Sequence, residues 1–433
     1  MGTRAPAPGH NGPVRRALAP ALPWLAAVLT VATLGWWELA GPRRIPAPAR
    51  DAWSTLLPGA WAPALPEGSA PDLGAIGYAG ATEPAATATG VVRHVPDATA
   101  GGFLLHTTGA GPRALLLDRE GEVVHAWERP WASLPGVEPQ DGPAQDTFRR
   151  ALLLPDGDLV VVYGGRGLAR LAPDGTPRWA RSERAHHAVV LGPDGALWTL
   201  LRVTRRAAAL GHHEEVVDDL VARYDAGTGE LLETVSILDA LLASPAASEA
   251  LASSNRRGDL LHTNALQVLD ATRAAALPGA RAGHVLLTIR ELDAVCLLDP
   301  STGRVPWLEQ GLGLGLHEAT VTEAGTLLLF DNLGGSRGSR VRELGLPGLE
   351  PVWEFDGTAE RPLLTRFCGS AHRLPAGTTL VVESMRGRVL EVDGRGAVLW
   401  EYVEPRRGGP DGSLVPAIFD CALVPELPPV LQR

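Results

Sequence analysis

The 433 residues suffice for one large domain or two ordinary ones, and 45% apolar with 20% charged side chains marks a folding chain. A net charge of −10, with no basic stripe, speaks against a broad nucleic-acid surface. Every basic residue is an arginine, which excludes phosphate loops and Schiff bases that need lysine. Three cysteines (Cys296, Cys368 and Cys421) are too few for a disulfide framework or a CxxC zinc site.

Residues 1–16 form a basic N-terminal segment containing Arg4, Arg15 and Arg16. An uncharged apolar stretch follows, with Trp36 and Trp37 where an aromatic belt is expected. A cleaved signal peptide competes with an uncleaved anchor, but Glu38 spoils the nearest small-residue cleavage site. The expectation is therefore a transmembrane signal anchor over 17–40, holding the rest of the chain in the periplasm or outside the cell. Residues 41–75, rich in Pro and Ala without sustained period, read as a spacer.

From about Gly102 one pattern recurs: two strands around an Asp-Gly or Ala-Gly turn, a third strand, a second turn, and a fourth strand often ending in tryptophan. ALLLPDGDLVVVYGGRGLARLAPDGTPRW closes at Trp179; HRLPAGTTLVVESMRGRVLEVDGRGAVLW closes at Trp400. Other copies close at Trp127, Trp307 and Trp353, and one runs from AVVLGPDGALWTLL to LVARYDAGTGELLETV. Six all-β copies predict a six-bladed β-propeller over 76–433, because sheets packed radially bury faces that none could bury alone. The first copy lacks an inner strand, and AIFDCALV at 417–424 is the strand that would complete it and close the ring. Residues 236–258 break the β pattern with Ala and Leu at helical spacing, and read as a helical insertion over one face.

His187 and His317 each stand eight residues before a first-turn glycine, Gly195 and Gly325. Shifted by one, His186 precedes the same strand as His187, and His262 opens HTNALQVLD in the next copy. Cys368-Gly369 is the matching pair in a later inner strand. One histidine in a strand is ordinarily structural. Histidines at equivalent positions of several blades converge at one mouth of the channel. The pair His212-His213, within a charged run, reads as a solvated turn.

HHAVVLGPDGALW, HTNALQVL, LLTIRELDAVCLLDPSTGRV, GLHEATVTEAGTLLLFDN and AHRLPAGTTLVVES, in this order, resemble the bacterial arylsulfotransferase family. That resemblance implies a six-bladed propeller that moves a sulfuryl group from an aryl sulfate to a phenol through a sulfated histidine, with no nucleotide donor and no cofactor. It places the nucleophile on His317 and further catalytic roles on His262, Arg290 and His187. It places substrate binding on His186 and Asn264. Of the two adjacent histidines, His187 is favoured because it shares the register of His317. The implied partners are small aryl sulfates and phenols, and the membrane through the N-terminal helix; no nucleic acid and no metal are called for.

Three features depart from the family pattern: Ala188 after the histidine pair, acidic Glu318 after His317, and FCGSAH in place of small residues only. Two other functions compete: a non-catalytic extracytoplasmic propeller binding an anionic or aromatic ligand, and a histidine metal site, which a nearby arginine disfavours. Cys368 and Cys421, on adjacent inner strands, either pair or stand as buried free thiols.

Overall fold

The repeats become five four-stranded antiparallel sheets and one five-stranded sheet in the computed structural model, which describes residues 1–2, 81–137, 146–206, 215–252, 258–409 and 411–432. The expected anchor at 17–40, the spacer at 41–75 and the His212-His213 turn lie outside the described residues. Among the described residues no helix is long and apolar enough to cross a membrane. The chain divides into Met1–Arg44 and Ile45–Arg433, and the propeller belongs to the second unit.

Taken from the inside outward, blade 1 is Ile418–Val424, Phe103–Thr108, Arg113–Leu117 and Val123–Glu128. Blade 2 is Phe148–Leu153, Leu159–Tyr163, Gly167–Leu171 and Pro177–Arg181. Blade 3 is Ala185–Leu191, Leu197–Arg206, Glu215–Tyr224 and Leu231–Ser236. Blade 4 is Thr263–Val268, Val285–Ile289, Ala294–Asp299 and Arg304–Gln310. Blade 5 is Glu318–Val321, Thr326–Asp331, Arg340–Gly345 and Pro351–Phe355. Blade 6 is Ser370–Arg373, Thr379–Glu383, Arg388–Val392 and Val398–Val403, with Gly90–His94 added as a fifth, outermost strand.

The middle strands are apolar on both faces because a blade packs against a neighbour on each side. Leu159–Tyr163, Val285–Ile289 and Thr379–Glu383 are buried at every residue. Outer strands meet solvent: in Val123–Glu128 only Trp127 is buried. That tryptophan explains the recurring end of the repeat. Trp127 Nε1 donates across to Ala172 O at 3.1 Å, Trp179 Nε1 to Ala226 O at 3.1 Å, and Trp400 Nε1 to Arg119 O at 2.8 Å. Each indole fills the gap between two blades and latches its blade to the next one round the ring.

The tail strand pairs antiparallel with Phe103–Thr108, from Val424 opposite Phe103 to Ile418 opposite Thr108. The expected closure is therefore present. Gly90–His94 makes a second closure that the sequence did not announce, pairing with Val398–Val403 of blade 6. The tail strand thus fills the inner edge of blade 1, and Gly90–His94 covers the outer edge of blade 6. The helical insertion is formed by Ile237–Leu242 and Pro245–Ala252. Ser236 caps the first helix by accepting from Asp239 N, and Ile237, Leu238 and Leu241 join the core between blades 3 and 4. Cys296, Cys368 and Cys421 are all buried free thiols.

Closure from the tail makes a prediction. Deleting residues 417–433 strips blade 1 of its inner strand and exposes a sheet edge beside the axis. Far-ultraviolet circular dichroism of that truncation should show no cooperative melt, whereas a ring that survives without the strand would keep one.

Candidate functional site

A propeller's inner strands face one another, so side-chain height along each strand decides what meets at the axis. Counting back eight residues from the first-turn glycines Gly157, Gly195, Gly325 and Gly377 gives Arg149, His187, His317 and Gly369. In blade 4 the hairpin is lengthened, but its ladder, from Val268 opposite Val285 to Ala265 opposite Thr288, puts Asn264 at the same height. A regular strand would turn only alternate residues to the axis. Bulges change that: register slips between Phe148 and Arg150, His186 and Val189, Thr263 and Ala265, and Ile418 and Asp420. Each bulge lets an extra side chain face inward.

The result is a recess holding about 300 Å³, part of it open solvent. Its wall is built from this one height: Arg149 and Arg150 from blade 2, His187 from blade 3, and Asn264 with Ala265 from blade 4. His317 and Glu318 of blade 5, Gly369 and Ser370 of blade 6, and Phe419 of the closing strand complete it. Backbone strain marks the same level. His187, His262 and Cys368 adopt φ of 56°, 47° and 59°, a left-handed conformation costing non-glycine residues about 1–3 kcal/mol each.

The histidines do converge. The His187 ring centroid lies 5.9 Å from that of His317 and 5.2 Å from that of His262. His186 and His187 approach through their Nδ1 atoms at 2.7 Å. His187, not His186, lines the recess; His186 Nε2 stands 3.2 Å from Asp219 Oδ1. His262 sits behind the wall, with Nδ1 2.7 Å from Asp259 Oδ2. Asn264 Nδ2 donates to Leu316 O at 2.9 Å and lies 3.1 Å from His317 Nδ1. Arg290 is also behind the wall, its guanidinium 5.7 Å over the Phe367 ring and paired with Glu291, yet its charge is felt at His317.

Charge decides the state of these rings. Burial, then the positive charges of Arg149, His262, Arg290 and Arg150, holds His317 well below the usual histidine range. Burial, followed by Arg149 and the neighbouring histidines, does the same to His187. Both are neutral imidazoles at pH 7. Asp259 is driven strongly down against its own burial by Arg202 and His262, so His262 rests on a carboxylate.

Several wall residues were not anticipated. Arg149 packs 4.5 Å over Phe419, bringing an arginine and an aromatic ring to the recess together. The rule that singled out His187 and His317 also finds Arg149, eight residues before Gly157. Arg150 bridges Glu318, at 2.6 Å, and Asp420. His372 lies 3.6 Å from Asp420 and is pushed up, burial notwithstanding, by Glu318 and Asp420. Only the meeting of blades 2, 5, 6 and 1 around the axis reveals this cluster. Among the described residues no group of three or more His, Cys, Asp or Glu is arranged to hold a metal ion.

Six blades around an axial recess that sets neutral imidazoles among arginines define a β-propeller with a histidine–arginine site at its axis. A sequence model of the arylsulfotransferase (ASST) family matches residues 168–405, and the chain belongs to that family. No curated protein matches it. Among solved structures it is similar to a protein of unknown function from Bacteroides caccae, at 13% identity and TM-score 0.44, over 70% of this chain and 94% of that one. It is also similar to a streptogramin B lyase, at 12% identity and TM-score 0.41, over 79% of this chain and 97% of that one. The β-propeller domain of Myceliophteria thermophila Cps50 (Swd1) matches at 12% identity and TM-score 0.41, over 75% and 89% of the two chains. None of these three likenesses carries weight for function.

The neutral rings make stability pH-dependent in a fixed direction. His187 and His317 stay unprotonated when folded but bind protons near pH 6.5 when unfolded. Their contribution is complete above that pH and is lost as the pH falls below it, at about 1.4 kcal/mol per histidine per pH unit. Urea unfolding of the native protein and of His317→Asn, at about pH 7 and about pH 5.5, should show a smaller acid loss in the variant. Equal losses would mean that His317 titrates normally in the fold.

Proposed function

We propose that this chain is an aryl sulfotransferase in which His317 takes a sulfuryl group from an aryl sulfate and passes it to a phenol. The observation that carries the reading is a neutral imidazole kept beside Arg149 in an axial recess. A sulfate ester is an anion, so its docking needs positive charge; a nucleophile needs a lone pair, so it must not carry that charge itself. Arginine separates the two requirements, because it stays charged at any working pH while depressing its neighbour.

In the first step a His317 nitrogen bonds to sulfur and the S–O(aryl) bond breaks. The electron pair leaves with the aryl oxygen, which takes up a proton to become a phenol. In the second step an acceptor phenol loses a proton, its oxygen bonds to sulfur, and the S–N bond breaks to restore His317. The loose transition state spreads charge over the three sulfuryl oxygens, where the Arg149 fork and the more distant Arg290 charge stabilise it. His262, with Asp259 fixing its Nδ1–H, is suited to store and return the proton, through His187 at 5.2 Å between ring centroids. A binding-only propeller would use Arg149 equally well but leaves this Asp–His pair without a purpose. The reading includes an extracytoplasmic site anchored by residues 17–40, supported by the apolar stretch and its tryptophans.

Incubation with p-nitrophenyl sulfate should release p-nitrophenol and add one SO₃ unit to the peptide bearing His317, read by mass spectrometry. His317→Ala should lose the adduct and lower transfer on the order of 10⁴-fold or more. Arg149→Ala should keep the adduct site and cost about 100-fold. A folded native protein that shows neither release nor adduct would return the site to a binding role.

A further inference from the structure

The recess also carries an acidic group, Glu318. Glu318 is only 6% exposed, lines the recess, and belongs to the residue directly after the nucleophile. Its Oε1 accepts from Arg150 Nη2 at 2.6 Å. Its Oε2 is buried and has no hydrogen-bond partner; the nearest further cation, His372 Nε2, is 3.9 Å away. Ser370 lines the wall beside it, its hydroxyl 3.4 Å from Asp420 Oδ1. Two carboxylates thus share one arginine. A buried carboxylate oxygen without a donor, on a side chain that lines a recess, is expensive, and buried polar atoms of this kind are ordinarily satisfied. A ligand that brings a donor removes the cost; one that brings an ether, a methyl group or a carboxylate adds to it.

We propose that Glu318 Oε2 is an acceptor-recognition group that selects phenols carrying a second hydrogen-bond donor on the ring, and disfavours carboxylated phenols. The inference rests on the sulfotransferase reading and assigns the substrate class of its second step. Chemistry divides the recess accordingly: Arg149, Asn264 and His317 meet the sulfuryl group, while Glu318 and Ser370 meet the substituent of the incoming phenol. Discrimination of this type is strong because the wrong substrate leaves the carboxylate oxygen buried and unpaired. Adding a methyl group to the second hydroxyl removes the donor but adds bulk, so the comparison with Glu318→Gln isolates the contact.

The test compares the three dihydroxybenzenes with their monomethyl ethers as acceptors, using p-nitrophenyl sulfate as donor. At least one dihydroxybenzene should exceed its ether in kcat/KM by about tenfold or more, and salicylate should be poorer than either. Glu318→Gln, with its carbonyl turned to Arg150, presents an amide donor where the native chain presents an acceptor. The preference should collapse to within about twofold, a ratio in which any loss common to both acceptors cancels. Ratios near one for all three native pairs, or a preference untouched by the substitution, would overturn the proposal while leaving the transferase intact. Equilibrium dialysis of native protein with each pair reads the same contact without turnover. A protein that binds the dihydroxybenzene over the ether but forms no adduct would retire the transferase reading alone; equal binding retires the Glu318 contact.

Discussion

A propeller blade has an inner edge that nothing covers except the facing edges of the other blades. The ring is therefore stable only if six inner strands are present and start at the same height, and the site inherits that constraint. In this chain the sixth inner strand arrives last, as Ile418–Val424 pairs with Phe103–Thr108. It carries Phe419 into the recess and Asp420 to Arg150, so closing the fold and finishing the site are one event.

The common height also explains how few residue types suffice. Two arginines at this level supply charge, Arg150 engaged by Glu318 and Asp420 and Arg149 beside the histidines; two histidines and an asparagine supply directional groups; glycine and alanine leave room. Burial and Arg149 keep His187 and His317 neutral, and the carboxylates that would oppose this lie against other cations. Asp259 and Asp219 face His262 and His186 behind the wall, while Glu318 and Asp420 are engaged by Arg150. Left-handed backbone at His187, His262 and Cys368 is the strain paid to aim these segments inward.

Much of this was legible in the sequence, for physical reasons that differ from part to part. The blades show because a buried middle strand and a turn glycine leave a periodic trace, and the terminal tryptophans mark where an indole must latch neighbours. His187 and His317 show because register is countable from those turns, whereas Asn264, on a lengthened hairpin, is reached only through the family resemblance. What stayed hidden depends on pairing across the axis. Arg149 obeyed the same count in blade 2 but carries no histidine to draw attention. Arg150, Asp420 and His372 come from blades 2, 1 and 6, and only the closed ring sets them around Glu318. The fifth strand Gly90–His94 is half exposed and lacks an alternating pattern, so it reads as linker until it is seen on blade 6.

The account stands on an imidazole, an arginine and a sulfuryl group meeting at the axis. A crystal structure of the protein soaked with p-nitrophenyl sulfate addresses this directly. Density should run from a ring nitrogen of His317 into a tetrahedral sulfur, with sulfuryl oxygens turned to the Arg149 guanidinium. Sulfate bound away from His317, or an unmodified ring with the aryl sulfate lodged on another face of the propeller, would contradict it.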